Sequence, residues 1–384
     1  MRTAGRAGLV LIAVAWLSSS ALAHEDVPHD VRSRIESDPQ LMASYKDWQD
    51  AWRTAIEAYL RTVAARGTPR DLLVAGWLWP METDEAVIHR QGTASRPQAR
   101  AWIQAAYDSA RGEDALVDWA LPDACRMTDA DCDRDILLQR QLAADPGNAE
   151  VLLAAHYAAL QREDADAAER FWQATAAATH YRSRGNDVGM LMLSTLRKVP
   201  APPLDPPLAA AMGEDLTLGR DATTRDMADT TAVALNAVIA LPTLDPIIRR
   251  CGTQAGSVSA ATLSDCKRIY RLLAADESLL LSAMVALPRL VEWADSDGER
   301  DAARERLRRF AWVYESLRHL YPPFMEEQRV PDDYVDRLFL DGEFAALRRR
   351  LQINGIPTAP PAGWLPENTR WRALLTDRPM PTAP

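Results

Sequence analysis

Residues 145–181 read DPGNAEVLLAAHYAALQREDADAAERFWQATAAATHY, and this stretch decides the fold. Asp145-Pro146-Gly147-Asn148 is a turn that ends in a residue suited to cap a helix. Apolar residues then recur at three- and four-residue steps through AEVLLAAHYAAL, which predicts a helix over 149–160. The polar run QREDAD (161–166) interrupts it, and AAERFWQATAAATHY (167–181) resumes the helical pattern. Two helices joined by so short a polar link fold back on one another as a hairpin.

The same grammar extends toward the amino end. From Pro39 to about Arg66 the apolar positions Tyr45, Trp48, Trp52, Ile56, Tyr59, Leu60 and Val63 keep helical spacing. Two neighbouring stretches resemble each other, AARGTPRDLLVAGWLWP (64–80) and DSARGEDALVDWALPD (108–123). Each reads as the end of a long helix, a glycine-containing turn, and a short tryptophan-bearing helix stopped by proline. Helix-stopping prolines at Pro80, Pro122, Pro200, Pro242 and Pro288 recur at intervals of roughly 42 residues or near a double of that, a period that suits stacked helical repeats. Toward the carboxyl end, helices are expected over 224–241, 276–294, 298–320, 332–340 and 343–353. The segment from Ile356, IPTAPPAGWLP, is expected to run extended, with Trp364 docked on the last helices. No alternating strand pattern interrupts this series. The fold expectation is therefore all-α, an α-solenoid of stacked helical hairpins in two lobes, 24–200 and 207–355, divided by APPLDPP (201–207) and followed by a proline-rich tail, 356–384.

The 145–181 hairpin resembles the tetratricopeptide repeat. Its D-P-x-N link, Ala168 at the small packing position and Trp172 four residues later carry the likeness, while His156 stands where a small residue is usual. The resemblance covers about one repeat. It implies a tetratricopeptide- or HEAT-like hairpin architecture and no particular ligand.

Composition narrows the functional classes. The chain has 384 residues, 47% hydrophobic content, 17 glycines and a formal net charge of −10. Collagen-like, low-complexity and disordered acidic chains are excluded, and an acidic protein lacks the broad basic face that nucleic acid demands. Residues 1–23 read as a signal peptide: Arg2 and Arg6, the apolar run LVLIAVAWL, and the small-residue site Ala21-Leu22-Ala23. No later stretch offers the roughly 20 apolar residues of a membrane span. Arginine far outnumbers lysine, as in GC-rich bacterial genomes. The expected location is the periplasm of a Gram-negative bacterium, with release to the medium as second choice. In such an oxidising compartment, Cys125 should pair with Cys132 and Cys251 with Cys266, closing two short loops.

Residues with chemical potential each have a plainer alternative. His24 and His29 could chelate copper, against a frayed polar terminus. His156 and His180 are expected on the two helices of the hairpin, as a metal pair or as packing groups. His89 and His319 have no readable partner. Asp129, Asp131, Asp133 and Asp135 hint at a calcium loop, but Arg134 and Arg140 occupy its informative positions, so capping by Asp131 or Asp133 is the better account. The arginine runs 304–309 and 348–350 read as solvated, salt-bridged faces. Trp48, Trp52, Trp77, Trp102 and Trp172, with His156 and His180, form a candidate aromatic groove, against the alternative of interhelix core. No catalytic residue, cofactor or metal is nominated. The leading expectation is a binding or scaffolding protein that presents a groove to a protein or peptide partner in the cell envelope. The second is a cell-wall-glycan enzyme, which would need a pocket lined by an acid of raised pKa.

Overall fold

A computed structural model describes residues 33–79, 97–216, 218–239, 244–252, 259–316 and 330–376. Residues 1–23, read from the sequence as a signal peptide, and His24, His29, Pro80, His89, Pro242 and His319 lie outside the described residues. Within them the regular structure is helical throughout, and the sole β-type contact is an isolated bridge between Asn148 and His180.

The first helices are α1 (Arg34–Ser37), α2 (Pro39–Ala64), α3 (Pro69–Leu78), α4 (Pro97–Ser109), α5 (Ala115–Thr128) and α6 (Arg134–Ala144). The hairpin of residues 145–181 supplies α7 (Ala149–Gln161) and α8 (Ala165–Ala176). Then come α9 (Gly185–Leu196), α10 (Pro206–Asp215), α11 (Thr224–Ile239), α12 (Asp245–Cys251), α13 (Ala260–Ala275) and α14 (Leu280–Glu292). The series ends with α15 (Asp297–Ser316), α16 (Tyr334–Leu340), α17 (Glu343–Ile353) and α18 (Thr369–Thr376). Polar residues start these helices where the sequence puts them: the side chains of Asp38, Thr68, Asp114, Asn148 and Asp164 each accept a backbone N–H of the first turn. Proline follows the cap in α2 and α3, where its missing N–H costs nothing.

The chain divides into two compact units. One holds residues 1–141 and 184–241, the other residues 142–183 and 242–384. In the first, α2 packs on α3, α3 on α4, and α4 on α5, while α9 pairs with α11. Tyr45, Trp48, Trp52, Ile56, Leu60 and Val63 form the buried face of α2, with Tyr59 at its edge. The stretch 201–207, read from sequence as a divider, lies inside this unit, and Trp48 Nε1 donates to the Pro202 carbonyl at 3.0 Å. In the second unit, α7 pairs with α8, α13 with α14, and α14 with α15. A core of Trp172, Ile269, Tyr270, Leu287, Phe310 and Trp371 runs through it. Stacked helical hairpins, expected from the spacing, are the pattern in each unit.

Three details correct the sequence expectation. Pro122 and Pro288 do not stop helices; they lie inside α5 and α14. A proline removes the N–H that would reach the carbonyl four residues back. At Pro122 that carbonyl belongs to Asp118, and the side-chain amide of Gln141 replaces the lost donor at 2.8 Å. Second, α8 ends at Ala176, because the Ala149 N–H bonds the His180 carbonyl at 2.8 Å and draws the chain into an extended bridge. Third, the tail is extended only in part, since it contains α18. Trp364 does dock, edge-on to Trp312 at 5.1 Å, and Trp312 Nε1 donates to the Pro357 carbonyl at 2.7 Å.

Both expected disulfides are present, Cys125–Cys132 at 2.02 Å and Cys251–Cys266 at 2.05 Å.

Candidate functional site

Asp129 ends α5 in the left-handed region at φ 54°, a conformation that aspartate tolerates better than most residues, and so turns the chain sharply. Four residues on, Asp133 Oδ1 accepts the N–H groups of Asp135 and Ile136 at 2.9 and 3.1 Å and starts α6. Between them the loop is fastened twice more. The Cys125–Cys132 bridge joins its ends, and Gln104 of α4 clamps Asp131, donating to its carbonyl at 3.1 Å and accepting its N–H at 2.8 Å. The acidic stretch is therefore a rigid corner rather than a calcium loop, and no group of three or more metal-ligating side chains occurs among the described residues.

This corner walls an open concavity of about 460 Å³, lined by Arg100, Cys125, Arg126, Asp129, Ala130, Asp131, Cys132 and Arg134. The lining thus holds three arginines and two aspartates. Arg126 is tied to Asp123 at 3.0 Å, while Arg100 and Arg134 have no carboxylate partner among the described residues. Arginine keeps its charge at any working pH and presents a flat fork of donors that matches a carboxylate. With Arg126 neutralised by Asp123, Arg100 and Arg134 are matched by Asp129 and Asp131, a balanced set of charges on a braced scaffold.

The residues proposed from sequence as an aromatic groove are divided between the two units, and most of them are buried. Trp48, Trp52 and Trp77 are buried in the first unit, with the first two stacked at 5.8 Å; Trp102 packs edge-on to Trp79 at 5.1 Å. Trp172 and His156 are buried in the second unit, their rings 5.4 Å apart. His156 Nδ1 lies 2.7 Å from the Ala168 carbonyl, and since a carbonyl only accepts, Nδ1 carries the proton. Burial lowers the His156 pKa against the opposing pull of this hydrogen bond. His180 stands outside α8 and bonds Asp145 instead, with Nε2 3.2 Å from the carboxylate. The two histidines are thus separately satisfied and form no metal pair.

Three carboxyls have pKa values raised by burial, Asp118, Asp276 and Glu343. Asp118 lies 3.4 Å from Arg140, while Asp276 and Glu343 serve the start of α14. Glu343 Oε2 accepts the Leu280 N–H at 2.8 Å, and Asp276 accepts the Ser278 N–H at 2.9 Å and the Ser282 hydroxyl at 3.3 Å. Their perturbation reflects structural capping.

Sequence reasoning overlooked Arg100, Arg126 and Arg134 as a set. The signal was present in CRMTDADCDR, where an arginine follows each cysteine within two residues, so pairing the cysteines brings the arginines together. Arg100 comes from a helix some 25 residues upstream, and only the fold reveals it. The site and fold define an all-helical, disulfide-braced protein with a surface pocket lined by arginines and aspartates. No family model matches the chain, and no curated protein or solved structure matches it.

Proposed function

We propose that this chain is an exported helical-repeat binding and scaffolding protein of the cell envelope, which engages the carboxylate groups of a protein or peptide partner at the Arg100–Arg126–Arg134 concavity. The convergence of three arginines, two of them unpaired among the described residues, on one braced pocket carries this reading. Two disulfides suit an oxidising compartment, and no described helix is long and apolar enough to cross a membrane. The hairpin of α7 and α8 supports a tetratricopeptide-like repeat: Asn148 caps α7, and its side chain also exchanges hydrogen bonds with the Arg182 backbone at 2.9 and 3.0 Å, closing the unit. Asp129 and Asp131 in the same lining suit a partner that also carries an amine or lysine near its acids.

The test is a fluorescence titration of the oxidised protein with a labelled peptide carrying several glutamates, beside one carrying lysines. The acidic peptide should bind, and binding should weaken about tenfold or more in Arg100→Ala/Arg134→Ala and with added salt. Equal binding by the double variant, or preference for the lysine peptide, would overturn the reading. Cross-linking in periplasmic extract, with the variant as control, then identifies the partner.

A further inference from the structure

Residues 356–366, IPTAPPAGWLP, are rich in proline, which has no N–H to give, so the segment displays carbonyls that it cannot satisfy by itself. It leaves α17 with the Ile356 N–H on the Leu351 carbonyl at 2.9 Å, and it turns at Gly363, where the Trp364 N–H reaches the Pro361 carbonyl at 3.1 Å. Side chains of α15 grip it from there. Trp312 Nε1 donates to the Pro357 carbonyl at 2.7 Å, and the Arg308 guanidinium donates to the carbonyls of Pro361 and Trp364. The two side chains are four residues apart and so share one face of the helix. The Trp364 ring stands edge-on to Trp312. The segment buries little in return: Trp364 is half-buried, and within 356–366 only Pro366 is buried. Its two ends are anchored separately. Leu351 of α17 and Trp371 of α18 belong to the core, and the Glu315 carboxylate accepts the N–H groups of Glu367 and Asn368 at 2.7 and 2.9 Å, pinning the start of α18.

We infer that this face of α15 is a recognition surface for proline-rich segments that carry an aromatic residue, and that residues 356–366 occupy it in cis. Proline fixes its own φ, so such a segment loses little freedom on docking, and its bare carbonyls ask for donors. An indole N–H and a guanidinium fork one helical turn apart supply them beside an aromatic wall, the chemistry by which proline-rich ligands are commonly read. The grip falls on main-chain carbonyls and one ring, so a segment of another protein with its aromatic residue similarly placed can take the same seat. Lifting residues 357–365 gives up the Trp364 ring contact and the bonds from Arg308 and Trp312, while α17 and α18 keep their places in the core. Exchange therefore needs no unfolding. The tail is a strap that withholds the surface until a competing segment displaces it. None of this rests on the Arg100–Arg126–Arg134 concavity, which belongs to the other unit.

The experiment titrates the full-length protein with a fluorescein-labelled peptide, IPTAPPAGWLP, and follows anisotropy. In the wild type the tethered strap competes at high effective concentration, so the peptide binds poorly. Trp364→Ala loosens the strap and leaves α15 unchanged, and this variant should bind the peptide at least ~10-fold more tightly than the wild type. Gly363→Val reaches the same end by another route: its φ of 74° strains a branched side chain, while the space around its Cβ is open. It should give a gain in the same direction. Adding Arg308→Ala and Trp312→Phe, the latter keeping a ring and removing the N–H, should abolish the gain. A peptide with alanine in place of its tryptophan should bind at least ~10-fold more weakly. The thermal midpoint of each variant, read by circular dichroism, reports the fold separately. Equal binding by the wild type and both strap variants, no binding to any of them, or binding indifferent to Arg308 and Trp312 would overturn the inference.

Discussion

Trp172 is fully enclosed, with the His156 ring against one side and the Arg250 guanidinium 4.5 Å from its ring centre. Arg250 is itself oriented by Glu169 at 2.6 Å, so one indole organises a histidine, a cation and its counter-ion. Trp172→Ala should cost about 3–5 kcal/mol in chemical denaturation, because the space cannot collapse around so large a loss, and Trp172→Phe should cost clearly less. Glu343 makes the opposite case. Its carboxyl is raised above the ordinary 4.5 by burial, so the folded state holds the proton more tightly than the unfolded one. Stability is therefore lost as pH rises from 4.5 through the folded-state value, and the cost is fully present above it. Glu343→Gln keeps an oxygen for the Leu280 N–H and removes the charge. Its urea midpoint should match the wild type near pH 4 and exceed it near pH 7.

Among the elements, α5 shows how a local rule yields to a distant side chain. Asp118 is buried, its carboxylate 3.4 Å from Arg140, and its carbonyl receives Gln141 in place of the amide that Pro122 lacks. Gln141→Ala should cost about 1–3 kcal/mol by leaving that carbonyl unsatisfied. In a Pro122→Ala background the helix regains its own donor, so the same change should cost much less. A double-mutant cycle measures the difference. This is also where the legibility of the sequence ends. The period of apolar residues and the turn ending at Asn148 are local, and they placed most helices to within a few residues. Pro122 misled because its compensation sits 19 residues away. His180 misled because an alanine-rich run continues the helical pattern, whereas a backbone pairing to Gly147 and Ala149 ends it. The run 304–309 looked like a solvated face. In the fold, Arg304 reaches the Leu374 carbonyl at 2.9 Å and Arg308 those of Pro361 and Trp364, so two of those arginines fasten the tail. The candidate site was half legible: the cysteine pairs and the flanking Arg126 and Arg134 are near in sequence, while Arg100 depends on how α4 meets α5.

At the scale of the whole molecule, neither unit is one continuous stretch of chain. The first unit is completed only by residues 184–241, and the second begins with the α7–α8 hairpin before the chain leaves it and returns. Within the first unit, α10 packs on α1 and α2, and the Arg34 N–H and side chain reach Asp215 and Glu214 at 2.9 and 2.7 Å. A fragment ending at residue 200 loses both α10 and α11, and with them the Pro202 carbonyl that Trp48 reaches. It should show a broad, non-cooperative thermal transition by circular dichroism, while the full chain unfolds sharply. A sharp transition for the fragment would show that α2 to α5 and α9 form a sufficient core by themselves.

The cysteines pair first with second and third with fourth. A chain that emerges amino end first presents them in that order, so Cys125 and Cys132 can close before the second pair has appeared, and Cys251 then finds only Cys266 free. An oxidant acting on arrival therefore makes the native set directly, with no wrong bridge to undo. For this protein the correctness of the cross-links is a matter of timing along the thread, and slow emergence favours it.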